Sequence, residues 1–169
     1  LNFFVSSPRC ANTGEIRDVM AHEWGHGLDD NDGIDASPLA VDAATGEAVA
    51  DIAAMIRGRD ACMGESFFSA PSDWPSAGCS GVRDLDEFAP GHEHGTPATM
   101  SLANVASLCG RSAYYRGPAG YEGHCEGEIL GQAFWHLVRN LMTGTSQATG
   151  APLPDGPLPE DAAWEVAES

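Results

Sequence analysis

Apolar and polar residues alternate along this chain with a mainly helical period. Asn12 followed by Glu15 reads as a capping box, opening a helix that runs to about Leu28 with Ile16, Val19 and Met20 on its inner face. Gly25 and Gly27 interrupt that helix, and helical glycines mark close approach of another backbone. A second, nearly all-apolar helix is predicted over about 45–57, capped by Thr45 and stopped by Gly58. A third, short one covers about 98–108. The clearest runs over about 124–142, where Ile129, Ala133, Phe134, Leu137, Val138 and Leu141 recur at helical spacing.

Between these helices the pattern breaks down. Residues 2–5 read as a short strand, 29–35 as an acidic turn and 58–97 as mostly irregular chain rich in Gly, Pro and Ser. Residues 149–159 read as a linker, and the last ten residues as the start of a helix that the chain end cuts off. No internal repeat is visible. The length fits one domain, and a hydrophobic fraction of 43% is enough for a core.

Charge narrows the partners. Eight basic residues, all Arg, stand against 25 acidic ones, for a net charge of −17. Nucleic acid needs a basic footprint and is excluded as a partner. No apolar run approaches the roughly 20 residues that span a bilayer. Five cysteines without a CxxC pair fit disulfides in an oxidising compartment better than a structural zinc knuckle, which points to a secreted or extracellular protein.

The chemistry concentrates in His22-Glu23-Trp24-Gly25-His26. Positions four apart share a helix face, so His22 and His26 can offer imidazole nitrogens to one ion. Glu23 sits about 100° round the helix, placed to take a proton from a water on that ion without replacing it. A catalytic zinc needs a third protein ligand and one open position. One spacing scheme would use Asp32 with a glycine at 29, but Asp29 stands there. The other uses a carboxylate on a second helix, and Glu47 supplies it from an apolar context where an unpartnered carboxylate would be costly. Asp51, four residues on, shares its face and can accept the second ring N–H of a ligand histidine.

With those residues in place the chain resembles the Glu-zincin peptidases, the thermolysin clan, and most closely a group of secreted bacterial proteins bearing His-Glu-Trp-Gly-His-Gly-Leu-Asp. The resemblance covers residue 2 to the fourth helix. It implies a zincin-like α+β catalytic core, mainly α, and a zinc-dependent endopeptidase acting on peptide or protein substrates. It also implies that Arg83 binds the substrate carbonyl and that His124 donates to the tetrahedral anion, with Glu122 in place of the usual orienting Asp. The clan's Tyr between the second His and the Glu is absent from residues 27–46. The alternative reading is a catalytically silent, zinc-bound module of a large secreted or surface protein.

Lesser candidates complete the inventory. His92, Glu93 and His94 could form a second metal site. The loop bearing Asp30, Asp32 and Asp35 could bind calcium, as could Asp18, where the clan often has a calcium ligand; His136 reads as structural. Cys62–Cys79 and Cys109–Cys125 are the expected disulfides, each closing a loop worth roughly 3 kcal/mol and bracing the segment that carries Arg83 or His124. Cys10 then lacks a mate; from the resembled group, its partner is expected before Leu1. On this reading residues 1–169 are a single catalytic core cut at both ends, with further domains in the parent chain.

Overall fold

The computed structural model describes residues 3–31, 43–92 and 100–169, with the side chains of 29–31 left aside. The architecture is mainly α. Among the described residues, five helices, α1 (Arg17–Asn31), α2 (Ala43–Gly58), α3 (Val105–Leu108), α4 (Gly123–Thr143) and α5 (Glu160–Ala167), accompany a two-stranded ribbon. Its strands β1 (Cys62–Met63) and β2 (Arg83–Asp84) run antiparallel, with Cys62 opposite Asp84 and Met63 opposite Arg83.

α2 lies at the centre, packed against α1 on one side and α4 on the other. Small residues allow this. A Cβ built on Gly25 of α1 would come within 2.6 Å of Ala50 Cα, and one built on Gly127 of α4 within 2.8 Å of the Ala44 carbonyl oxygen. A Cβ built on Gly27, by contrast, meets no described atom within 4 Å. The apolar core lies towards the C-terminal halves of α2 and α4, where Ala54 and Met55 meet Trp135, Val138, Leu85 and Trp164 of α5. Trp164 is 1% exposed.

Several boundaries differ from the sequence pattern for identifiable reasons. Asn12 does cap, but it caps a 3₁₀ turn over Thr13–Glu15: its side chain accepts from Gly14 N–H at 3.0 Å. Extended backbone at Ile16 then separates that turn from α1. Met20 faces outward, 45% exposed, rather than inward with Ile16. Thr45 lies inside α2, not at its cap, and the left-handed residue beyond Gly58 is Arg59 (φ 58°). Residues 3–5 pair with no described strand; Phe4 instead exchanges bonds with Thr13, donating to its Oγ1 at 2.8 Å and accepting from its N–H at 3.1 Å.

α4 also buries a different stripe from the one its apolar residues mark. Ala133 and Leu137 are exposed, while Gly127, Glu128, Gly131, Gln132, Trp135 and Val138 face inward. The glycines clear room for neighbours, and the polar groups serve backbone. Glu126 accepts from Ala119 N–H (2.8 Å) and Tyr121 N–H (3.0 Å), and Gln132 Oε1 from Met100 N–H (2.8 Å).

The segment read as a linker folds back on the end of α4 through Leu153 N–H to Gly144 O (2.8 Å) and Leu158 N–H to Leu141 O (2.9 Å). Both expected disulfides are present, Cys62–Cys79 and Cys109–Cys125, and Cys10 is free. No described helix is long and apolar enough to cross a membrane.

Candidate metal centre

Three side chains from two helices converge on one point. α1 presents His22 and His26 one turn apart, and α2 presents Glu47 opposite them; one ligand atom from each lies within 4.8 Å of the others. His22 Nε2 is 3.1 Å from Glu47 Oε2 and 3.1 Å from His26 Nε2, which in turn is 3.5 Å from Glu47 Oε1. Among the described residues this is the one group of His, Cys, Asp and Glu side chains able to hold a metal ion. The closeness of α1 to α2 at Gly25 brings the histidines down onto the carboxylate.

Asp51 stands one turn beyond Glu47, 1% exposed, with its Oδ1 2.8 Å from His22 Nδ1. A carboxylate only accepts, so Nδ1 carries a proton and Nε2 turns towards Glu47 and His26. Arg83, at the end of β2, closes on Asp51 from the other side: Nε donates to Oδ2 at 2.7 Å and Nη2 to Oδ1 at 2.5 Å. Its Nη2 also lies 3.8 Å from Glu47 Oε2. Neither Asp84 nor Asp86, its neighbours in sequence, is the partner.

The electrostatics follow from this packing. Burial opposes ionisation of Glu47, but hydrogen bonds from His22, His26 and Tyr115, with the charge of His124, hold it far below the usual carboxylate range. Burial alone would lower the pKa of His22; its bonds to Asp51 and Glu47 push it up to about 9. Asp51 is likewise desolvated yet held ionised, chiefly by Arg83 and His22.

The donor set fits a divalent ion on an observation independent of spacing. Glu47 Oε2 is buried, and its nearest polar neighbour among the described residues is His22 Nε2 at 3.1 Å. Two imidazoles and a buried carboxylate brought this close form the kind of donor cluster that holds a divalent cation.

Glu23 lines a cavity of about 310 Å³ together with His22, Arg83, His124, Val19 and Phe67. His124, in the first turn of α4, sits with Nε2 3.2 Å from Glu47 Oε1 and Nδ1 2.7 Å from Glu122 Oε1, the helix N-cap. Of the seven residues singled out from the sequence, His22, Glu23, Arg83 and His124 line this cavity, and His26, Glu47 and Asp51 adjoin it through their contacts with His22, Arg83 and His124. Tyr115 was not among them. Its hydroxyl donates to Glu47 Oε1, and its ring lies 5.2 Å from that of His124. The available signal was its place inside the Cys109–Cys125 loop, which returns the chain to His124.

Of the remaining candidates, Asp18 lines the same cavity as Glu23, while His92 and His136 have partners of their own. His92 Nε2 lies 2.8 Å from the Asp84 carbonyl, and Glu93 and His94 are outside the described residues. So are Asp32 and Asp35, together with the side chain of Asp30. Asp18 lies beside Glu15, Asp60 and Glu65, and burial raises its pKa. His136 pairs with the fully buried Glu87 and stacks on Phe88 at 5.4 Å, a structural arrangement.

Compared with known proteins, the chain matches no family model, no curated sequence and no solved structure.

Proposed function

We propose that this chain is the catalytic core of a zinc-dependent endopeptidase of the thermolysin-clan type, working in an oxidising compartment. The observation that carries the proposal is the meeting of His22, His26 and the buried carboxylate of Glu47, with Glu23 on the wall of the adjoining cavity. Two imidazoles and one carboxylate suit zinc, with a position left for substrate or water. When bound there, zinc supplies Lewis acidity, acidifying a water and polarising a carbonyl.

The protein's own groups do the rest. Glu23 takes a proton from the attacking water as its oxygen bonds to the scissile carbon, then passes that proton to the amine as the C–N bond breaks. His124, held by Glu122, donates to the anion on the former carbonyl oxygen. Asp51 fixes the ring of His22, and Arg83 keeps Asp51 ionised while its positive charge faces the cavity where the anion forms.

Casein cleavage by the zinc-loaded protein tests this. Turnover that falls by about 10²–10⁴-fold in Glu23→Gln, with zinc content unchanged, is the result expected of a lost general base. Zinc retained by the wild type with no cleavage of casein or of unfolded peptides would instead favour a silent zinc-bound module.

A further inference from the structure

Glu47's two oxygens are unequal, and Tyr115 makes them so. Oε1 accepts from the Tyr115 hydroxyl and lies 3.2 Å from His124 Nε2. Oε2 faces His22 Nε2 at 3.1 Å, and His26 Nε2 lies 3.5 Å from Oε1. The loop that carries Tyr115 is held in place by its backbone from three directions. Gly123 N–H donates to the Tyr115 carbonyl at 3.2 Å, and Tyr115 N–H donates to Ser112 Oγ at 3.2 Å. Arg116, the next residue, accepts from Ala43 N–H at 3.1 Å, tying the loop to the first residue of α2. The ring lies so close over α4 that a Cβ on Gly123 would stand 3.0 Å from Tyr115 Cε1. The hydroxyl is therefore fixed relative to both the helix that carries Glu47 and the one that carries His124.

We infer that Tyr115 is a positioning residue of the metal centre, engaging Glu47 Oε1 so that the carboxylate offers a single oxygen, Oε2, to the ion. This rests on the metal-centre reading above. A carboxylate free to turn can hold a cation through both oxygens. A hydrolytic zinc site works with three protein donors and one open position, so a second carboxylate oxygen would fill the place that substrate or water needs. Outer groups of this kind set ligand geometry and affinity as much as the ligands do.

Cobalt(II) is the probe, because its visible absorption weakens as coordination number rises. Wild-type protein should bind one Co²⁺ with the intense bands of a four-coordinate ion. Tyr115→Phe should lose about 10–100-fold in Co²⁺ affinity and show weaker bands, while Tyr114→Phe, at a side chain 91% exposed, changes neither. Wild-type affinity and spectrum in Tyr115→Phe would overturn the inference while leaving the metal reading intact. So would a loss confined to Tyr115→Leu, which assigns the effect to ring packing. No Co²⁺ binding by the wild type would defeat the metal reading and the inference with it. Should Tyr115→Phe not fold, the wild type still decides: zinc-minus-apo infrared difference spectra should show the wide carboxylate splitting of one-oxygen ligation, and a narrow, two-oxygen splitting would overturn the inference.

Discussion

α2 and α4 meet along their whole length, and the two ends of that contact are built from opposite materials. Towards the C-terminal ends, Ala54, Met55, Trp135, Val138 and Trp164 exclude water in a conventional apolar core. Towards the N-terminal ends, Glu47, Asp51, Glu126 and Glu128 are buried, each 4% exposed or less. The first end gains free energy from removing apolar surface. The second must offset desolvation of its carboxylates with partners: Arg83 and three histidines around Glu47 and Asp51, backbone N–H groups at Glu126. The division suggests that one end holds the fold so that the other can keep charge in an arrangement that would not hold itself.

Mutations at the two ends sharpen that contrast. Trp164→Ala should have the largest effect on stability, about 3–5 kcal/mol from the lost burial and the cavity left behind. In a chain of this size that is a fall of roughly 10 °C or more in melting temperature. A shift of only a degree or two would show that α5 is not part of the core. Asp51→Ala should approach the same size by a different route, about 3–5 kcal/mol, because Arg83, its side chain 12% exposed, loses its ion-pair partner. Unlike Trp164→Ala, it should also weaken metal binding. A variant with normal zinc affinity would remove Asp51 from the centre.

Two nearby glycines on α1 separate packing from propensity. Gly25→Val should destabilise by about 1–3 kcal/mol or more and weaken metal binding, since its side chain must displace Ala50. Gly27→Ala should be neutral or stabilising by up to about 1 kcal/mol, because its Cβ meets no described atom within 4 Å. Equal effects would contradict the packing described here.

The smallest expected effect is a pH slope. The folded-state pKa of His22, about 9, lies above its ordinary 6.5, so its proton stabilises the metal-free fold fully below 6.5, and that contribution is lost as pH rises through 9. Thermal unfolding of metal-free protein should show melting temperature falling across that window, and His22→Gln should flatten the fall. A rise over the same range would reverse the sign of the argument.

The helices were legible because their period and stops are local. α2 was found to within two residues at its start and one at its end, and α4 to within one at each end. The ligand group was legible for the same reason, since His22 and His26 are one turn apart and Glu47 sits in a helix whose apolar neighbours made a lone carboxylate conspicuous. What failed was orientation. The inward face of α4 is set by glycines and hydrogen-bonded polar groups, which an apolar count passes over, and Met20 points outward because the break at Ile16 shifts the start of α1. Tyr115 was invisible because its partner, Glu47, is remote in sequence and only the folded cystine loop joins them.

The central claim is that His22, His26 and Glu47 hold one ion. Metal content, measured after zinc loading and exhaustive dialysis of the wild type and of Glu47→Ala, tests it most directly. One zinc per wild-type chain is expected, and its loss, or a fall in affinity of several orders of magnitude, when Glu47 is removed. No retained zinc in the wild type, or undiminished zinc in Glu47→Ala, would contradict it.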